Sequence, residues 1–159
     1  MRVHIGGDHA AYELLTDLVG FLEGSGHQVT NHGPHTYDPS DDYPVFVLRT
    51  ARAVADDPGS FGVVLGGSGN GEQMAANKVA GIRAALCFDE ELARLAREHN
   101  DAQVISIGAR MCSVEAAHAM LDVFLSTAFS GDSRHARRIG MMSDYETEGA
   151  LPPLPPLPA

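Results

Sequence analysis

Residues 61–78 read FGVVLGGSGNGEQMAANK, and the fold of the chain follows from how this stretch is divided. Phe61 to Leu65 is a short apolar run of the kind that forms a buried parallel strand. Four glycines fall among residues 66–71, and Glu72 then opens a segment of good helix formers. Strand, glycine loop and helix together aim backbone N–H groups and a helix N-terminus at an anion. Glycines also let a ligand approach the main chain, because no Cβ stands in the way. The loop carries a hydroxyl, Ser68, and a carboxylate, Glu72, four residues apart. N–H donors, a hydroxyl and a carboxylate base are the parts needed to remove a proton beside a carbonyl and hold the enediolate that results. Nucleotide motifs fit poorly: a G-x-G-x-x-G pattern from Gly67 would need glycine where Glu72 stands, and no G-K-[ST] occurs.

Working outward, apolar strand-like runs and helical spacings alternate along the chain. Val3–Ile5 reads as a first strand, ended by Gly6-Gly7, with Asp8 and His9 leading into a helix over 10–22. Asp8 serves there as a helix cap or, because ligands bind at the carboxyl ends of parallel strands, as part of the same site as the 66–72 loop. Gln28–Asn31 is a weak second strand. The loop from His32 to Asp42 holds His32, His35, Asp38, Asp41 and Asp42 at spacings that match no metal motif, and reads as solvated. A helix over 45–55 precedes the central strand. Further strands are expected at 82–88 and 104–107, with helices at 90–98, 113–125 and 132–146. Five strand–helix alternations predict one α/β domain with a parallel sheet covered on both faces.

Composition narrows the partners. The net charge of −10 argues against nucleic acid and anionic membrane surfaces. No apolar run approaches the ~20 residues of a membrane span, and the opening MRVHIGGDHA enters a strand pattern without a secretory leader. Cys87 and Cys112 suit reduced thiols in a cytoplasmic protein rather than a disulfide or zinc scaffold. Lys78 is the sole lysine, and three of the ten arginines, Arg134, Arg137 and Arg138, share an arc of about 100° on the last helix. With no acid among them they form an anion pocket suited to bidentate phosphate binding. Arg110, following a strand, is well placed for a ligand, whereas His99, preceding a strand, reads on position alone as a helix-dipole partner. Residues 148–159, ending LPPLPPLPA, are expected to be a flexible Pro-rich tail beyond a domain of residues 1–147.

The blocks GGDHAAYEL, DDYPVF, VVLGGSGNGEQMAANKVAGIRAAL, AREHNDAQVISIGAR and SRHARRI together resemble the RpiB/LacAB family of sugar-phosphate isomerases over roughly residues 1–147. The resemblance implies a three-layer α/β/α sandwich, Rossmann-like, with five parallel strands in the order 2-1-3-5-4. It implies a homodimer, or a dimer of dimers, with active sites at the subunit interface. It also implies interconversion of D-ribose 5-phosphate and D-ribulose 5-phosphate through a cis-enediolate, with no metal or organic cofactor. A six-carbon sugar phosphate such as allose 6-phosphate, or a binding module without turnover, are the alternatives.

One branch of the family places a cysteine base where this chain has Gly66, so the resemblance is to the branch whose base is Glu72. On that reading Glu72 moves the proton, and Ser68 with the Gly69, Asn70 and Gly71 backbone holds the enediolate, beside Gly67. His99 assists ring opening, and Asp8 holds the ring oxygen or its hydroxyl. Asn100 bonds the sugar, while His9, Arg110, Arg134 and Arg138 hold the phosphate. Two departures stand out. Ala11 replaces a usual glycine, which is expected to tighten the first loop. Asp101 replaces a usual asparagine, which is expected to add negative charge beside the site.

Overall fold

The computed structural model describes residues 1–156. Five strands form one all-parallel sheet: β1 (Arg2–Gly7), β2 (Gln28–Asn31), β3 (Phe61–Gly66), β4 (Ala84–Leu86) and β5 (Val104–Gly108). Their order is β2-β1-β3-β5-β4, as the resemblance implies. The central β3 pairs Gly62–Gly66 with Val104–Gly108 on one side and Phe61–Leu65 with Val3–Gly7 on the other. Its near-continuous apolar run is explained by burial on both faces. β4 is shorter than the run 82–88, with its hydrogen-bonded ladder confined to three residues against β5.

Six helices flank the sheet: α1 (Tyr12–Gly24), α2 (Tyr43–Asp56), α3 (Asn70–Ala76), α4 (Glu90–Asn100), α5 (Val114–Ser126) and α6 (Ser133–Glu148). The larger core lies on one face, where Leu15, Leu18 and Leu22 of α1, Ala93 and Ala96 of α4 and Leu121 and Phe124 of α5 cover Ile5, Leu65 and Ile107. On the other face Val47, Ala51 and Val54 of α2 and Ala76 of α3 close over Val64 and Val104. Caps set several boundaries: Asp89 and Ser113 accept from Leu92 and Ala116 N–H, and Asp132 accepts from Arg134 N–H. α4 runs two residues beyond the expected end, because Asp101 closes it in the left-handed region at φ 45°. His99 and Asn100 therefore sit in its last turn.

α6 differs from the other helices. Only His135 is buried along it, while Met141, Met142 and Tyr145 are exposed. Beyond it, residues 151–156 form no regular secondary structure, and the rest of the Pro-rich stretch, 157–159, lies outside the described residues. Among the described residues no helix is long and apolar enough to cross a membrane.

Candidate active site

The carboxyl ends of β1, β3 and β5 meet in an open cleft of about 430 Å³, lined by Asp8, His9, Gly67, Ser68, Gly71, Glu72 and Arg110. The glycine loop is held there by its neighbours. Ala109 and Arg110 N–H donate to the Gly66 and Gly67 carbonyls at 2.8 and 3.1 Å, and the buried Ser106 hydroxyl donates to the Gly69 carbonyl at 2.7 Å. Gly69 turns the chain at φ +81°, where any Cβ would strike Leu86, so this position requires glycine. The Asn70 N–H and side-chain amide both donate to Ser68 Oγ at 3.3 Å.

Glu72 is the chemically distinctive group. It is 4% exposed, and its Oε2 has no hydrogen-bond partner among the described residues. Burial pushes its carboxyl above the ordinary range. Its own N–H opposes this, the nearby Asp8 carboxylate adds to it, and the Gly69 N–H opposes it again. Asp8 is 7% exposed and also raised, chiefly by burial, with Ala10 N–H donating to its Oδ1 at 3.0 Å. It is thus both the cap of a short 3-10 turn (His9–Ala11) and a wall of the cleft. A Cβ built on Gly66 would run into the Glu72 carboxylate. A side chain at 66 and this placement of Glu72 compete for one space, so glycine at 66 is what admits the carboxylate.

A second cavity of about 540 Å³ shares His9, Ala10 and Arg110 with the first and is walled by Tyr12, Glu13 and Tyr37. Two cavities joined along His9 and Arg110 can accept a molecule with a reacting end beside Glu72 and an anionic end beyond the arginine. Three participants were not legible in the sequence reading. Tyr43, the first residue of α2, lines the cleft with its ring against Gly71. Met111 lines it from the turn after β5. Asp41 is the third. The 32–42 loop is not simply solvated: the Asp41 side chain is only 10% exposed and bonds His9 twice. The loop is drawn in by a Gly7 N–H bond to the Gly33 carbonyl at 3.0 Å and by an edge-on contact between Tyr12 and Tyr37. The only signal in the sequence was that Asp41 lies within the DDYPVF block of the family resemblance.

The remaining expected residues lie elsewhere. α4 leads from the carboxyl end of β4 to the amino end of β5, so His99 and Asn100 stand at the opposite edge of the sheet. A five-residue parallel strand is about 16 Å long, which separates them from Glu72 within one chain. There His99 packs on His135 with ring centroids 4.2 Å apart, and the Arg134 Nε donates to His135 Nε2 at 3.3 Å. Arg134, Arg137 and Arg138 are exposed, and Arg137 and Arg138 form no ion pair among the described residues. The positional reading of His99 as outside the cleft therefore holds for a single chain. The Asp101 charge is not free: its carboxylate meets Arg97 Nη1 at 2.8 Å and Arg83 Nη2 at 3.5 Å, and Arg83 also bonds the Asn100 carbonyl. Ala11 has φ −115° and is buried, so alanine needs no strain at that position.

A carboxylate with raised proton affinity beside a hydroxyl and glycine-loop amides defines a site for proton transfer on an anionic substrate, set on a five-stranded Rossmann-like sheet. Residues 3–142 match the family model described as Ribose/Galactose Isomerase, and the chain belongs to that family. It is 51% identical over 155 residues to the ribose-5-phosphate isomerase B of Mycolicibacterium paratuberculosis, covering 98% of each chain. It is 50% identical over 159 residues to that of Mycobacterium tuberculosis, covering all of this chain and 98% of the other. Among solved structures, it superimposes on Clostridium thermocellum ribose-5-phosphate isomerase B with a TM-score of 0.90 at 39% identity, covering 94% of this chain and 100% of that one. It also superimposes on the Mycoplasma genitalium enzyme with bound ribulose-5-phosphate, with a TM-score of 0.89 at 35% identity, covering 92% and 97%.

Proposed function

We propose that the protein is an aldose–ketose isomerase that interconverts D-ribose 5-phosphate and D-ribulose 5-phosphate. The observation that carries the reading is Glu72: a buried carboxylate with an unpartnered oxygen, its pKa raised by burial, in a cleft that continues past His9 and Arg110. The full-length relatives named ribose-5-phosphate isomerase B support the choice of substrate.

Ring opening needs a proton delivered to the ring oxygen and one withdrawn from the C1 hydroxyl, tasks for Asp8 and His99. Glu72 then takes the proton from C2 of the open aldose. The electron pair becomes the C1–C2 double bond of a cis-enediolate, whose oxygens rest on Ser68 Oγ and the N–H groups of the 67–71 loop. Glu72 returns the proton to C1 while the hydroxyl proton passes from O2 to O1, giving the ketose. A raised carboxyl pKa suits this double role, since the same group must accept and then release the proton near neutral pH. Arg110, His9, Arg134 and Arg138 hold the phosphate, and Asn100 bonds the sugar. Binding energy at the phosphate thereby fixes C1 and C2 against Glu72.

The protein works as a homodimer, in which the α4–α6 end of one subunit closes the cleft of the other. This reading is supported by the separation of the two residue sets and by the unpaired arginines on α6. The domain is residues 1–147 followed by a tail, and the compartment is the cytoplasm, which suits the two free thiols. Burial pushes the Cys87 thiol up to about 12, leaving it inert.

Solvent-deuterium incorporation into D-ribose 5-phosphate, followed by NMR for wild type and Glu72→Gln, tests the reading. Exchange at C2 by wild type alone is the expected result. Absence of exchange by wild type under conditions where the sugar phosphate binds would overturn it.

A further inference from the structure

The loop between β2 and α2 contributes one buried carboxylate to the site, and its bonding is unusually one-sided. Asp41 Oδ1 accepts from the His9 backbone N–H at 2.8 Å and lies 2.7 Å from His9 Nδ1. Asp41 Oδ2 is buried and has no partner among the described residues. For stability alone an asparagine would serve better at this position, because it keeps the same acceptor without placing a partly unsatisfied anion out of water. An anion is sensible there if the group it faces carries a positive charge. Asp8, His9 and Asp41 also bring ligand atoms close together, but 2.7 Å is a hydrogen-bond length, shorter than the separation of two ligands on one metal ion.

We propose that Asp41 is a positioning residue for His9: it fixes the imidazole with Nδ1 protonated and Nε2 toward the cleft, and holds the ring as a cation for the substrate phosphate. This rests on the proposed isomerase reading. With both the backbone N–H and Nδ1 tied to one oxygen, the ring has little freedom, and Nε2 is the nitrogen left for a ligand. His9 lines both cavities, at the boundary between the reacting end and the anionic end. The side-chain bond to Asp41 holds the His9 imidazolium above its ordinary range, against the effect of burial, with Asp8 adding to it. The other charged groups around it are Asp38 on the same loop, Glu13 of α1, and Arg110 and Glu72 across the cleft. Tyr12, Tyr37 and Tyr43 complete the titratable surroundings. A phosphate monoester becomes a dianion above about pH 6. Asp41 therefore keeps His9 charged at a pH where a free imidazole would already have lost its proton.

The test compares wild type, Asp41→Asn and Asp41→Ala in the full chain. Asp41→Asn should fold normally, raise KM for D-ribose 5-phosphate about tenfold just above the free-imidazole range and change kcat less than threefold. That KM difference should close below about pH 6, where His9 is protonated in either protein. In the same samples, the His9 imidazole followed by NMR should titrate above about 6.5 in wild type and fall toward that value in Asp41→Asn. Asp41→Ala, which also loses the acceptor, should show a larger KM effect at every pH. A KM increase equal at all pH values, with His9 titrating alike in wild type and Asp41→Asn, would overturn the proposal and leave Asp41 a loop anchor. Should the variants fail to fold, a wild-type His9 titrating at or below the free-imidazole value overturns it equally. Wild type inactive on the sugar phosphate would instead fail the isomerase reading, whatever His9 does.

Discussion

At the carboxyl edge of the sheet, Asp8 and Glu72 are nearly closed off from water, whereas at the amino edge Arg134, Arg137 and Arg138 stand in solvent. The cleft has its electrostatics set by its own chain: burial raises both carboxyls, and fixed N–H groups and the Asp41–His9 pair adjust them. The other end has exposed cations on α6 with almost nothing to neutralise them, while its buried polar side chains are already engaged: His135 is bonded to Ser130 and packs at a tilt on His99, and Arg97 meets Asp101 and the Ala102 carbonyl. One region holds the buried carboxyls with only His9 and Arg110 as cations beside them. The other has the charge and no cleft. The proposed dimer would give a reason why a chain with net charge −10 concentrates cations on one helix: they would complement an anion held in the partner's cleft.

The largest break in the comparison comes from the buried side. Glu72→Gln keeps the shape of the cleft and removes the proposed base, so kcat should fall by about 10³-fold, with KM within about threefold of wild type. Steady-state kinetics check this. A parallel loss in KM would mean that Glu72 chiefly holds the substrate.

Joining the two regions across a dimer gives the next largest effect. In the proposed dimer Glu72→Gln would damage only the cleft, and His99→Ala only the other end, so each homodimer should be crippled in both of its sites. A co-expressed mixed dimer has one site with both changes and one with neither. Activity should recover to about a quarter of wild type in a statistical mixture, because half the dimers each carry one intact site of two. No recovery on co-expression would mean that both sets act within one chain. Arg138→Ala should act more modestly, raising KM by about tenfold, more at low ionic strength than at high, with little change in stability because the side chain is exposed. A stability loss with unchanged KM would assign Arg138 to the fold instead.

The legibility of the molecule divides along the same line. The sheet, the α4, α5 and α6 starts and the glycine loop follow from local pattern, since Phe61–Leu65, Asp89, Ser113 and Asp132 each act through neighbours in sequence. Glu72 could be placed from its own loop. Asp41 could not, because its meaning lies in a hydrogen bond to a residue 32 positions away across the β1–β2 edge. His99 is the converse case: its position before a strand correctly places it outside the cleft of its own chain, and the role in ring opening comes from the family resemblance alone. Asp101 was read as a free charge, since its pairing with Arg83 depends on β4 and α4 meeting at the amino edge. Long-range pairing of charges is what sequence spacing conceals.

The smallest effect is thermal and has the opposite sign to the kinetic ones. A carboxylate whose folded pKa is raised stabilises the fold least when ionised, so wild type is penalised above the unfolded carboxyl pKa and relieved as pH falls below the folded one. Glu72→Gln removes a buried charge whose Oε2 has no partner among the described residues, which should gain about 1 kcal/mol near neutral pH. At this chain length that is about 2–4 °C in Tm. The gain should shrink as pH falls through the raised Glu72 value, because the wild-type carboxyl is then as neutral as the amide. Differential scanning calorimetry of both proteins across this range checks it. A variant less stable than wild type at neutral pH would mean that the Glu72 carboxylate is satisfied in solution, and its role as a base held ready by burial would fail with it.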